Sequence, residues 1–127
     1  MLAIATCTFD KIGSLRESPE GGFYLTAYVD AFIAYPEAKA SAYHALMEEQ
    51  RGPYSSVSQF YQAMADLNDH YVLLEPEIEP EEKETDRAMY REVGQLAPAF
   101  IVPALDHGPF VISHDDLAPQ NILVSTP

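Results

Sequence analysis

The strongest constraint on the fold is a pair of helix-period stretches separated by one segment rich in proline and glutamate. In the first stretch, Val57, Phe60, Tyr61, Met64, Leu67 and Tyr71 recur at steps of three and four residues. That spacing stacks them on one face of an α-helix. Ser56 stands just before them with Gln59 three residues on, the pattern of a capping box. The predicted helix runs from Ser56 to Leu73 or Leu74. Residues 75–86 then break the pattern. Pro76 and Pro80 sit among glutamates, and such a charge run reads as a solvated connection. Pro80 with Glu81 and Glu82 suits the first turn of a new helix. There proline lacks only an unneeded N–H, and carboxylates face the positive end of the helix dipole. Met89, Tyr90, Val93, Leu96, Ala97 and Phe100 mark the second apolar face, and Pro98 predicts a kink or an end. His70 lies beside the first face with no second histidine three or four positions away, so it reads as a boundary residue rather than a metal ligand.

Strand signals flank this helical middle. Ile12 to Leu15 and Phe23 to Val29 are runs of β-prone residues, and Ser18-Pro19-Glu20-Gly21-Gly22 between them is a turn signal. Together they predict a hairpin with a five-residue connection. Met1 to Phe9 is apolar and reads as the tail of a buried element. It has no Lys or Arg ahead of it and falls far below the ~20 residues of a membrane-spanning helix. Glu37 to Gln50 predicts a short helix with Ala38, Ala42, Ala45 and Leu46 on one side, ended by Arg51-Gly52-Pro53. Near the C-terminus, Phe110 to Ser113 and Ile122 to Val124 predict two short strands around a polar loop. The expected fold is α+β: an N-terminal β-hairpin, a mainly helical middle, and a C-terminal β-hairpin carrying the loop. No internal repeat or domain boundary interrupts residues 1–127.

Composition narrows the function. A hydrophobic fraction of 47% with 8 Tyr and 6 Phe supplies a core and argues against wholesale disorder. A formal charge of −13 argues against a nucleic-acid surface, which needs clustered Lys and Arg. It suits a cationic partner, and plain solubility explains it equally well. The single cysteine, Cys7, leaves no internal disulfide and no cysteine-based zinc site, which fits a reducing compartment. The expected location is the cytoplasm, with no membrane and no nucleic-acid partner.

The loop carries the chemistry. Gly108 to Val124 contains His114, Asp115, Asp116, Leu117, Pro119 and Asn121 in the order H-x-D-L-x-P-x-N. A loop held by a short strand at each end suits a site needing fixed geometry. Asp116 can accept a proton from a substrate hydroxyl. Asn121, five residues on, offers a carbonyl oxygen, a hard ligand suited to Mg²⁺. Phosphoryl transfer needs these two tasks side by side. His114 is expected to brace the loop, Pro119 to stiffen it, and Leu117 and Ile122 to anchor it in the core. The plainer alternative is a polar loop in which Asp116 and Asn121 satisfy turn backbone.

This stretch resembles the catalytic loop of the aminoglycoside phosphotransferase-like family, which has a kinase-like fold and the usual form H-G-D-L-H-P-G-N-I-L-V. His114, Asp116, Leu117, Pro119, Asn121, Ile122, Leu123 and Val124 match it. Gly108-Pro109-Phe110-Val111, Phe9-Asp10-Lys11-Ile12-Gly13-Ser14-Leu15 and Arg51-Gly52-Pro53-Tyr54-Ser55-Ser56 resemble segments of fungal members. Asp115, Ala118 and Gln120 depart from the pattern, and Asp115 sets a second negative charge beside Asp116. The resemblance implies a partial domain, the central part of the large lobe. It implies Asp116 as catalytic base, Asn121 as metal ligand, Mg²⁺ and ATP as cofactors, and a small-molecule hydroxyl as phosphate acceptor. No glycine-rich phosphate loop, strand lysine or second metal-binding aspartate appears in these residues, so the chain alone is expected to be inactive. Two alternatives remain. One is a pseudoenzyme or protein-binding fragment with an acidic helical surface. The other is a metal-dependent hydrolase using His114 and Asp115, for which His44, His70 and His107 lack a recognisable ligand spacing.

Overall fold

The computed structural model describes residues 7–27 and 50–112. The fold is α+β: the described residues form two long helices and two small antiparallel strand pairs. Strand β1 (Thr8–Phe9) pairs with β4 (Phe110–Val111), Thr8 opposite Val111 and Phe9 opposite Phe110. Strands β2 (Ser14–Glu17) and β3 (Phe23–Thr26) form the hairpin, from Ser14 opposite Thr26 to Glu17 opposite Phe23.

The hairpin turn is the predicted one. Ser18 N–H donates to the Gly22 carbonyl and Gly21 N–H to the Ser18 carbonyl, both at 2.9 Å. Gly21 and Gly22 have φ of 90° and 83°, which other residues rarely adopt. The strand before the turn begins at Ser14 rather than Ile12. Ile12 instead exchanges two 2.8 Å backbone hydrogen bonds with Tyr54. Gly13 makes that switch, because a Cβ there would run into the Thr26 carbonyl and Pro53.

Helix α1 (Val57–Leu74) starts and stops where the sequence predicts. Ser56 is its N-cap, with Oγ accepting from Gln59 N–H at 3.1 Å. The return bond differs from the capping-box expectation. Gln59 Oε1 accepts from Ser55 N–H and Ser55 Oγ at 3.0 and 2.9 Å, one residue earlier than the cap. Helix α2 (Pro80–Phe100) has Pro80 at its start with Glu81 and Glu82 in its first turn. Pro98 does not end it; the helix continues two residues further, to Phe100.

Residues 75–79 join the helices as a short connection, so α1 and α2 are antiparallel neighbours. Lys83 reaches the Leu73 carbonyl, Arg87 and Arg91 reach Asp69, and Gly94 lies against Ala65 and Gln62. This packing corrects the predicted faces. Ala63, Ala65, Leu67 and Val72 are the buried residues of α1, while Tyr61 is exposed. In α2 only Gly94 is buried, and Met89, Val93, Leu96 and Phe100 face outward, Phe100 at 82% exposure. Gly94 has no side chain to hold the helices apart, so small residues opposite it let the backbones approach closely.

Tyr54, 3% exposed, ties the hairpin to the helices. Its backbone bridges to Ile12, its ring meets Phe60 edge-on at 5.7 Å, and its hydroxyl donates to the Gln50 carbonyl at 2.7 Å. Two further expectations change. Cys7 and Thr8 are exposed, so this end of the N-terminal run is not buried. Phe110–Val111 is a strand as predicted, but its partner among the described residues is β1. Ile122 to Val124, Tyr28, Val29, and all but Gln50 of the helix predicted over Glu37 to Gln50 lie outside the described residues.

Candidate functional site

The predicted loop residues His114, Asp115, Asp116, Leu117, Pro119 and Asn121 lie outside the described residues. What the structure shows is the path that leads to them. After α2 the chain makes a 3-10 turn at Pro103–Leu105, passes Asp106, His107 and Gly108, and enters β4. Gly108, at φ 86°, turns the chain immediately before Pro109.

Asp106 fastens this path to the start of α1. Its backbone carbonyl accepts from Val57 N–H at 2.8 Å. Its Oδ1 accepts from Ser58 N–H at 2.8 Å and from Ser58 Oγ at 3.0 Å. With Ser56 on Gln59, the amides of Val57, Ser58 and Gln59 are all bonded, three groups that a helix start leaves without intrahelical partners. The bond from Ser58 N–H is the main cause holding the Asp106 carboxyl below its ordinary pKa of 3.8. His107 Nδ1 donates to the Ser55 carbonyl at 3.0 Å, and its Nε2 lies 3.8 Å from Asp106 Oδ2. Asp106 is missing from the sequence-based candidates. Its partner is 48 positions away, a separation that no local pattern encodes.

Charge is concentrated between the helices. Asp69 Oδ1 accepts from Arg87 Nε and Arg91 Nε, and Oδ2 from Arg87 Nη2, all at 3.0 Å. Burial raises the Asp69 pKa, but the Arg87 hydrogen bond and the two guanidinium charges outweigh it and leave the carboxyl below 3.8. Asp66 is held similarly by amides: Gln50 Nε2 donates to Oδ2 at 2.8 Å and Gln62 Nε2 to Oδ1 at 2.9 Å. His70 Nδ1 donates to the Asp66 carbonyl at 2.8 Å, so this ring is tied to its own helix. Among the described residues, no three His, Cys, Asp or Glu side chains converge to hold a metal ion.

Among the described residues, concavities open beside α1 and between the two helices. One, of 230 Å³, is walled by Gln50, Tyr54, Gln59, Gln62, Ala63 and Asp66. Another, of 390 Å³, is largely apolar and is walled by Tyr61, Val93, Leu96, Ala97, Phe100 and Ile101. No described helix is long and apolar enough to cross a membrane. No protein-family model, curated protein or solved structure matches this chain.

Proposed function

We propose that the chain carries the catalytic-loop part of a phosphotransferase site of the aminoglycoside phosphotransferase-like kind, within a kinase-like large lobe. The proposal rests on one run of residues: His114, Asp116, Leu117, Pro119 and Asn121 continuing into Ile122-Leu123-Val124. Two features of the structure support it. The run follows a strand, β4, that is paired with β1, and the residues before that strand are fastened to α1 through Asp106. A loop entered from anchored backbone suits a group that must be held in place.

In this proposal Asp116 orients the hydroxyl of a small-molecule acceptor and takes its proton. Asn121 supplies a carbonyl oxygen, and oxygen donors are the ligands Mg²⁺ prefers. Bound there with ATP, the ion would offset the charge on the phosphates. His114, Leu117 and Pro119 position the loop. The sequence holds no glycine-rich phosphate loop and no strand lysine with a helical glutamate partner, so the chain by itself binds nucleotide weakly and does not transfer phosphate. The proposal carries with it a reducing, cytoplasmic setting, in keeping with the lone Cys7.

Weak binding is best read by a paramagnetic ion. With Mn²⁺-ATP replacing Mg²⁺-ATP, the amide signals of residues 114–124 should broaden selectively, and Asn121→Ala should abolish that broadening. Unchanged signals at millimolar Mn²⁺-ATP, or equal broadening in the variant, would overturn the assignment.

A further inference from the structure

Helix α2 has two unlike faces. One meets α1 through Gly94 and through its three cations. The other carries Met89, Val93, Leu96 and Phe100, all exposed. Their steps alternate between four and three, the seam spacing of a heptad repeat, and the same spacing continues back through Asp86 and Glu82. Val93, Leu96 and Phe100, with Tyr61 of α1, wall the 390 Å³ apolar groove. A continuous apolar seam of this kind on a surface marks an interaction site.

Charge decides what fits it. Lys83 Nζ donates to the Leu73 carbonyl, and Arg87 and Arg91 are held by Asp69, so the cations of α2 are directed at α1. Glu81, Glu82 and Glu92 are exposed, and Asp86 lies in the seam itself. The whole chain carries −13. A second copy laid along the seam would bring the same carboxylates together, which repels. A helix with lysines or arginines beside its apolar stripe would instead meet opposite charge along its length.

We propose that the α2 seam and its groove dock an amphipathic helix of a basic protein partner, with apolar residues at heptad spacing and Lys or Arg flanking them. This surface is independent of the phosphotransferase assignment.

The test uses the full chain and two labelled helical peptides. Both have Leu at the seam positions; one has Lys and the other Glu at the flanking positions. The Lys peptide should bind saturably in anisotropy titrations and weaken about tenfold or more from low to high salt. Amide shifts should map to residues 89–101. Leu96→Asp should abolish binding. Glu82→Lys with Glu92→Lys should weaken it several-fold while leaving the apolar seam intact. Circular dichroism should be unchanged in these variants, because the substituted side chains are exposed. The proposal fails if the Lys peptide does not bind at about 100 μM, a concentration ample for helix-in-groove complexes. It fails if both peptides bind equally, or if the shifts map elsewhere. It also fails if sedimentation shows a dimer that Leu96→Asp dissolves, because the seam would then belong to a second copy.

Discussion

Asp106 does for α1 what nothing adjacent to that helix in sequence does: it bonds the amides of Val57 and Ser58. Ser56, by contrast, was legible from its position before an apolar repeat, and its Oγ bonds Gln59 N–H as expected. The difference is separation: a cap is local chemistry, whereas Asp106 needs the fold to deliver it. Replacing Asp106 with Ala should lower the thermal midpoint, and Asn, which keeps one acceptor oxygen, should lower it less. The pH dependence has a definite sign. The native pKa lies below the ordinary 3.8, so the stabilisation is complete above that value. It is lost as the pH falls through 3.8 and on through the lowered native value. Thermal melts from about pH 6 down to pH 3 should therefore show the gap between the wild type and Asp106→Ala narrowing toward the acid end. A constant gap between the two would show that the carboxylate is not the operative group.

At the scale of elements, the existence of both helices, both ends of α1 and the start of α2 could be read from periodicity, the N-cap and Pro80. Their mutual orientation could not. Periodicity identifies which side chains share a face, but not which face meets a neighbour. The deciding residues, Gly94 and Ala65, carry almost no hydrophobic signal, yet they set how closely the helices approach. A Cβ at Gly94 would already stand 3.1 Å from the Ala65 Cβ and 3.2 Å from Gln62 Nε2. Gly94→Leu should therefore destabilise the chain by about 1–3 kcal/mol in urea unfolding, through overpacking. Gains in helix propensity recover at most about 1 kcal/mol of that. A variant as stable as the wild type would mean that the helices can separate at no cost.

Across the molecule, the α+β class and the N-terminal hairpin were foreseeable, because β-prone runs, turn glycines and helical spacing are all local. The pairing of β1 with β4 was not, since two-residue strands leave little pattern. The loop of catalytic type was legible only as a run of residues. Protection should follow burial rather than element type. The hairpin is a two-stranded sheet with Leu15, Phe23 and Tyr24 exposed, an arrangement that is marginal in water. In hydrogen exchange, the amides of residues 14–26 should exchange well before those of Ala63, Leu67 and Val72 in α1. Equal protection of the two regions would show that they open as one unit.

The β1–β4 pairing also sets an order of assembly during synthesis. Thr8 and Phe9 leave the ribosome early, but their partners Phe110 and Val111 are made roughly a hundred residues later. The contacts described between the helices, from Lys83 to Gly94, all lie before Phe100 and can close first. Asp106 then clips α1, and β1 finds its neighbour after that, when Phe110 and Val111 and the residues leading to His114 and Asp116 emerge. Contacts this distant in sequence form slowly. The same late event that completes the small sheet thus also secures the entry to the predicted loop.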